Sequence, residues 1–171
     1  MSVMFETSDL EQASPATVSR CGMVFMENKQ LGWRPLKDSY IATLPEAITD
    51  AVKENLEEVI EWMLPPVFDF VRKKCKFMID TSELHLFQSF SRLLDSLLDE
   101  VRDAGKPLGA KISDDKLICL LQSLITFVVP WTIGSTITGT SRRLFDQYFR
   151  SLLAGKMDKY PKPDCFKLTR A

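Results

Sequence analysis

The order of apolar and polar residues predicts one short strand near the start of the chain and several amphipathic helices after it. Residues 23–26 form an apolar run after Gly22, which is the pattern of a strand buried on both faces. From residue 47 onward, apolar side chains recur three and four positions apart, as they do on one face of an α-helix. The pattern therefore predicts a mainly α fold with a short N-terminal β segment.

The first long helix is expected to begin at a capping box and to stop or kink at a proline pair. Thr43 and Glu46 have the spacing at which each side chain can bond an amide of the first helical turn. The helical period then continues to residue 63, and Pro65-Pro66 follows. Proline removes a backbone donor and crowds the preceding turn, so the helix should not pass it unchanged.

Three further helices follow from similar signals. Asp80-Thr81-Ser82-Glu83 is expected to be a second capping box, and Ser113-Asp114-Asp115 is expected to cap the helix after it. The first of these helices is expected to run from about 83 to 103. The second is apolar nearly all round over residues 116–131, which predicts the central, most buried helix of the fold. A last amphipathic helix is expected to be capped by Ser141 or Thr140.

These elements indicate an antiparallel bundle of four to five helices joined by short loops. Trp33 lies in the connector before the bundle and is expected to be a packing anchor between two pieces of structure. The last residues carry no structural signal, as expected for a piece of a longer polypeptide. The predicted division is residues 1–37 as strand and connector, 38–155 as helical bundle, and 156–171 as a linker.

Composition limits the classes of partner. The chain has 171 residues, 45% of them hydrophobic, and its 22 Lys and Arg against 23 Asp and Glu give a net charge of −1. This balance gives no reason to expect nucleic acid or an anionic membrane as a partner. The apolar run 117–131 is interrupted by Gln122 and Ser123, and no signal peptide is visible, so a soluble intracellular protein is expected.

Cysteine and histidine chemistry is also constrained. The four cysteines are scattered without a CxxC pair, so neither a zinc site nor a disulfide framework is expected. Cys119 lies within an apolar helical pattern and is expected to be a small core residue. His85 is the only histidine, which excludes histidine triads within this chain and favours a structural or surface role.

Two placements of arginine are the polar features that call for an explanation. The sequence has no GxxxxGK[ST] phosphate loop and no glycine-rich dinucleotide turn, so the chain alone should be catalytically silent. Arg20 follows a small-residue turn and precedes the predicted strand, where it could reach a phosphate or pair with a nearby carboxylate. Arg142 and Arg143 stand in the first turn of the last helix, where a cation opposes the helix dipole unless water or an anion offsets it.

The N-terminal segment resembles dynein heavy chains of the axonemal type. The resemblance rests on residues 4–24, which contain the run Ala13-Ser14-Pro15-Ala16, and on Leu31-Gly32-Trp33. It extends to residues 131–134 and 141–150, while the helices between are generic amphipathic sequence. These stretches are similar to the end of the second AAA+ module of the motor ring, comprising its last large-subdomain strands and its helical lid.

The resemblance implies a role in a microtubule motor of the axoneme. Arg20 would be the arginine finger that reaches the ATP site of the neighbouring module, and Arg142 or Arg143 would sense nucleotide in the module's own pocket. ATP and magnesium would serve the parent motor, and the chain alone would bind neither, nor any other metal. Adjacent AAA+ modules, microtubules and dynein intermediate and light chains would be partners, in the cytoplasm, the cytoskeleton and the cilium or flagellum.

A second hypothesis from another class is a non-enzymatic helical interaction module. Four glutamates share the polar face of the first long helix, and such a stripe could dock a basic partner helix. A solvated face explains the same pattern. The four residues are Glu54, Glu57, Glu58 and Glu61.

Overall fold

A computed structural model describes residues 4–7, 9–26, 31–99, 101 and 112–168 of the chain. Within these residues it contains six α-helices and one isolated antiparallel β-bridge between Phe77 and Ile137. The mainly α class is confirmed. The helices are α1 (Pro15–Val18), α2 (Arg34–Ala42), α3 (Asp50–Lys74), α4 (Glu83–Ser96), α5 (Asp114–Thr132) and α6 (Gly139–Leu153).

The helices alternate in direction around α3. The end of α3 lies beside the start of α4, where Arg72 pairs with Glu83 at 3.3 Å. The start of α3 lies beside the start of α5, where the Thr49 hydroxyl donates to Asp114 Oδ2 at 3.0 Å. Helix α5 therefore runs parallel to α3 and opposite to α4, and the short turn after α5 reverses the chain into α6. The predicted antiparallel bundle is confirmed.

Helix α3 forms the centre of the core. Its buried side chains face α5, α6 and the connector, whereas its charged residues lie on the remaining side. Trp33 is only 4% exposed and lies between α3 and α4, with its ring stacked on Phe87 at 5.3 Å and edge-on to Phe68 at 5.7 Å. The prediction that Trp33 anchors the connector is confirmed. The buried residues of α3 are Val52, Leu56, Val59, Ile60, Met63, Leu64, Pro66, Val67, Phe68 and Val71.

The prediction that the helix over residues 116–131 is the most buried is wrong. One side of α5 packs against α3 and α4, but Leu120, Phe127 and Trp131 on its other side are exposed, Trp131 by 63%. Cys119 is exposed on α5 as well, which corrects its placement in the core. With 19 residues and a mean hydropathy of 1.2, α5 also has the length and composition of a membrane span, although core helices share these properties.

The capping box predicted at Thr43 is not formed. Thr43 is instead the C-cap of α2, and α3 begins six residues later than expected for that box, at Asp50 with Thr49 as its N-cap. Helix α3 also passes through Pro65 and Pro66 without ending. Burial of the residues on both sides of the proline pair offsets the two backbone hydrogen bonds that the prolines cannot donate.

Two other helices begin where the sequence predicts, although α4 does not use the 80–83 spacing of a capping box. Ser82 is the N-cap of α4, and its hydroxyl accepts from the His85 amide at 3.4 Å and bonds the His85 ring at 3.0 Å, which gives the lone histidine a structural role. Ser113 is the N-cap of α5. Helix α4 ends at Ser96 rather than near residue 103, and residues 100 and 102–111 lie outside the described range. The N-cap of α6 is Thr138 instead of Ser141 or Thr140.

The predicted strand at residues 23–26 is not formed. This segment has no regular secondary structure, and its four side chains are 60% to 85% exposed. A strand is stabilised by hydrogen bonds to a neighbouring strand and by cover on its faces, and the described residues offer it neither. The only regular element before residue 31 in the described range is the four-residue α1, which buries no residue.

A buried lysine attaches α2 to α3. Lys37 is 4% exposed, and its Nζ lies 2.6 Å from Glu57 Oε1, 2.9 Å from Glu61 Oε1 and 3.2 Å from Asp38 Oδ1. Arg34 joins the same group through Glu61 Oε2 at 3.2 Å. Burial alone would lower the pKa of Lys37, but these hydrogen bonds raise it well above its ordinary value. These interactions are called the entry contacts below.

A buried amide attaches the segment after α6. Gln122 is 1% exposed; its Nε2 donates to Cys165 O at 2.8 Å and to Asn55 Oδ1 at 3.0 Å, and its Oε1 accepts from the Lys167 amide at 2.9 Å. Trp62 Nε1 donates to Tyr160 O at 3.4 Å on the same segment. These interactions are the exit contacts. The division at residues 37 and 155 stays a prediction.

Replacing Trp33 by alanine is expected to destabilise the chain by about 3–5 kcal/mol, because it removes a buried ring from between two aromatic neighbours. Denaturant unfolding measures this difference. Trp131→Ala is the matched control and should change stability by no more than about 0.5 kcal/mol, since that side chain is largely exposed. Equal losses in the two variants would contradict the assignment of Trp33 to the core.

Acid should weaken the entry contacts through Glu61. Burial opposes ionisation of this carboxyl, but hydrogen bonds from Lys37 and Arg34 outweigh burial and lower its pKa below the ordinary 4.5. A carboxyl with a lowered pKa contributes stability above 4.5, and this contribution is lost as the pH falls through the folded-state value. Glu61→Gln should therefore flatten the fall in unfolding free energy below pH 4.5. Glu54 is exposed, so Glu54→Gln is the control. If the unfolding free energy of Glu61→Gln falls with acid as steeply as that of the wild type, the expectation is refuted.

Candidate functional site

Arg20 lies in the exposed N-terminal segment, two residues after α1 ends at Val18. The α1 turn is fixed by Ser14, whose hydroxyl accepts from the Thr17 amide at 3.2 Å, with Pro15 in the first helical position. The Arg20 amide donates to Thr17 O at 3.2 Å. Its side chain makes no ion pair with the described residues, so the alternative of a structural pair is not formed among them. The guanidinium remains available to an external anion.

Arg142 lies at the rim of an apolar cleft between the end of α5 and α6. The cleft is about 180 Å³ in volume. Arg142 Nη2 donates to Ser135 O at 3.2 Å, so a backbone carbonyl offsets part of the unfavourable interaction of this cation with the α6 dipole. Asp146 on the same rim is held by Arg150, whose Nε lies 2.8 Å and 2.9 Å from its two carboxylate oxygens. The lining residues are Pro130, Gly134, Arg142, Phe145, Asp146 and Phe149.

Gly134 allows α5 and α6 to approach closely at this cleft. A Cβ at this position would lie 2.6 Å from Pro130 O and 3.2 Å from the Phe145 ring. Any other residue would have to displace backbone at the end of α5. The glycine therefore shapes the cleft by allowing close packing, although its backbone conformation is an ordinary one.

Arg143 lies on a different side of α6 from Arg142. It lines a shallow open depression of about 420 Å³ together with Gly139 and Thr140 in the first turn of the helix. It makes no ion pair or side-chain hydrogen bond with the described residues. Arg142 and Arg143 thus differ in surroundings: one is engaged by a carbonyl beside an apolar cleft, and the other is exposed beside free amides of a helix start.

The predicted site residues do not converge into one pocket within the described part of the chain. Arg20 lines neither the cleft of Arg142 nor the depression of Arg143. No group of three or more His, Cys, Asp or Glu side chains with the spacing of a metal site occurs among the described residues. Each arginine is therefore presented outward, as a group that could complete a site made by other residues.

The cysteines fall into two pairs by environment. Cys21 and Cys119 are exposed, and Cys75 and Cys165 are partly buried. Burial raises the pKa of Cys75. Burial, followed by a hydrogen bond to Glu58, raises the pKa of Cys165 to about 11. A raised pKa lowers the fraction of reactive thiolate, so the partly buried pair should be chemically quiet.

Sequence reasoning missed the most strongly interacting charged residue of the fold, Lys37. Glu57 and Glu61 were placed in a solvated acidic stripe, but both bind Lys37. Pro35 in the first turn of α2 was an available signal for a helix start here. No local signal could have paired Lys37 with carboxylates twenty residues or more away.

Comparison with a family model and comparison with individual proteins both find dynein heavy chains. A family model described as the dynein heavy chain AAA lid domain matches residues 56–168. Dynein axonemal heavy chain 3 of Homo sapiens is 47% identical over 173 residues, covering 99% of this chain and 4% of that protein. Dynein axonemal heavy chain 12 of Mus musculus is 36% identical over 164 residues, covering 95% of this chain and 5% of that protein. The chain thus spans only about a twentieth of the length of these relatives.

In modification by a disulfide reagent at pH 8, the two exposed cysteines should react fast and the two partly buried cysteines should react slowly. A thiol whose pKa is about 11 rather than 9.0 carries about 100-fold less thiolate at this pH, which slows Cys165. Cys21→Ser and Cys119→Ser should each remove one fast phase. Four indistinguishable rates in the folded chain would contradict the assigned environments.

Proposed function

The chain belongs to the dynein heavy chain family, of the axonemal type, and on this premise we propose that its helices act as a AAA+ lid that couples ATP binding and hydrolysis to minus-end-directed movement on microtubules. The observation that carries the proposal is the extent of the family match, since residues 56–168 include most of α3 and all of α4 to α6. A bundle with a continuous buried core moves as a rigid body, which suits a part that transmits nucleotide state between modules.

We assign the chain to the second AAA+ module of the ring. In this assignment residues 1–37 end the large subdomain, 38–155 form the lid and 156–171 lead towards the next module. The exposed residues 23–26 support the assignment, because an apolar run is suited to the interior of a sheet supplied by other parts of the heavy chain. The lack of a phosphate loop in the sequence supports a chain that contributes to nucleotide sites without holding one.

Arg20 is the candidate arginine finger for the ATP site of the neighbouring module. Its guanidinium would neutralise negative charge that develops on the γ-phosphoryl group during hydrolysis, a contribution worth about 10³–10⁵ in rate in comparable enzymes. Three features support this role: the side chain is exposed, has no carboxylate partner among the described residues, and follows a turn fixed by Ser14 and Pro15. ATP and magnesium belong to the neighbouring module in this mechanism.

Arg142 and Arg143 are the candidate nucleotide-sensing residues of the lid. A nucleotide phosphate near the first turn of α6 would be attracted both by a guanidinium and by the free amides of the helix start. Arg143 lies beside Gly139 and Thr140 at that start, which suits a phosphate. Arg142 borders the apolar cleft, which suits a flat or apolar group. In this proposal the two residues would bind different parts of one ligand.

The remaining assignments follow from membership of the axonemal type. Adjacent AAA+ modules of the same heavy chain would be the direct partners, and microtubules and the intermediate and light chains would be reached through the whole motor. The cytoskeleton of the cilium or flagellum would be the site of action. Neither nucleic acid nor a membrane is proposed as a partner.

The exposed face of α5 favours an interaction role as a second candidate function. Leu120, Phe127 and Trp131 recur at helical spacing on this face, and the Phe127 and Trp131 rings lie 5.9 Å apart. The acidic stripe of α3 is less suited to this role, because Glu57 and Glu61 already bind Lys37. Loss of a partner on Trp131→Ala with unaltered ATP turnover of the motor would favour this second candidate.

Arg20→Ala in the whole motor is expected to lower ATP turnover by about 10³-fold or more and to stop microtubule gliding, because the transition-state charge loses its cation. Steady-state ATPase and gliding assays measure both effects, and circular dichroism of the 171-residue chain should show an intact fold. Arg92→Ala, at an exposed position of α4, is the control and should retain turnover. The chain alone should hydrolyse no ATP. Normal turnover of the Arg20→Ala motor would remove Arg20 from the mechanism.

A further inference from the structure

Two turns of α3, residues 55–62, hold both the segment that enters the helical bundle and the segment that leaves it. Glu57 and Glu61 receive the entry contacts, and Asn55 and Trp62 make part of the exit contacts. In sequence order the two entry positions, 57 and 61, lie between the two exit positions, 55 and 62, so both sets of contacts share the same two turns of α3.

The entry contacts are costly to break. Lys37 is buried, and without its carboxylate partners its ammonium group would lose its hydrogen bonds at a position that is largely shielded from water. Trp33 lies one helical turn before Lys37 and is held between Phe68 and Phe87, so α2 is fixed by an apolar contact and an ionic contact on the same face. Helix α2 therefore follows any displacement of α3.

The exit contacts are equally specific. The Gln122 side chain uses its carboxamide oxygen and nitrogen, and three of its hydrogen bonds lead to Asn55, Cys165 and Lys167. Asn55 Nδ2 also donates to Cys165 O at 3.3 Å, so the same carbonyl is bound from α3 and α5. The Phe166 ring packs on Trp62 at 5.1 Å. The exit segment is thus fixed to α3 by polar and apolar contacts.

We propose that residues 55–62 of α3 are a coupling segment, through which release of the entry contacts loosens the exit segment and release of the exit contacts loosens α2. Lys37 and Gln122 are the positioning residues of this coupling. In the motor, the entry side leads to the segment that carries Arg20 and the exit side leads towards the next module. That wider meaning rests on the proposed function, whereas the coupling itself is a property of this chain.

Amide hydrogen exchange of the full chain, measured by NMR without nucleotide, tests the coupling. In Lys37→Met, the amides of Phe166 and Lys167 should exchange about tenfold faster than in the wild type, within the usual range of coupling between sites. Lys73→Met is the matched control: it makes the same substitution in α3, where Lys73 pairs with Asp69 at 2.7 Å on the exposed face. The control should leave Phe166 and Lys167 unchanged.

The reciprocal variant is Gln122→Leu. It should accelerate exchange of the Lys37 and Thr43 amides by a similar factor, because coupling between two sites acts equally in both directions. Lys37→Arg should restore most of the protection at Phe166, since the charge is retained. If Lys37→Met does not fold, Glu57→Gln weakens the same contacts more mildly and takes its place.

Three outcomes would overturn the proposal. Faster exchange confined to α2 in Lys37→Met would show that the two attachments are independent. A uniform acceleration of all amides, including those of the α3 core such as Val59, would show global destabilisation instead of coupling. An equal effect of Lys73→Met would show that any lost ion pair on α3 has this consequence. None of these outcomes bears on Arg20, so the coupling and the proposed function fail separately.

Discussion

The buried charge of Lys37 is the constraint on which the arrangement of this bundle depends. A lysine in a closed site is tolerated only where carboxylates neutralise it and accept its hydrogen bonds, and Glu57, Glu61 and Asp38 do so. Two of these carboxylates lie on α3, so the lysine fixes both the direction of α2 and its position along α3. The course of the chain into the bundle follows from that single site.

The sequence predicted those features of the fold that depend on residues close together along the chain. The helices that follow Ser82 and Ser113 begin where the sequence predicts, because signals for a helix start act within one turn; the Ser82 hydroxyl accepts from the His85 amide. The expectations at Thr43 and at Pro65-Pro66 failed, because tertiary burial decides whether a weak local signal starts or ends a helix. The apolar pattern of α5 also gave no indication of which side would be left exposed, since that depends on where α3 and α4 lie.

The candidate site was predictable in part. The three arginines were found by their residue type and local setting together with the family resemblance, and the structure adds that Arg142 is engaged by Ser135 O while Arg143 is not engaged by the described residues. Lys37 and Gln122 escaped notice because each has partners far away in the sequence. A buried polar residue looks like a surface residue until the elements that cover it are in place.

The proline pair of α3 has a mechanical consequence. Neither Pro65 nor Pro66 can donate a backbone hydrogen bond, so the carbonyls of Glu61 and Trp62 lose their usual partners one turn earlier. Helix α3 therefore lacks two backbone hydrogen bonds just beyond residues 55–62. The Tyr148 hydroxyl of α6 donates to Pro66 O at 3.0 Å at this point. Helix α6 thus contacts α3 at the place where these hydrogen bonds are missing, and bending of α3 there would displace α6.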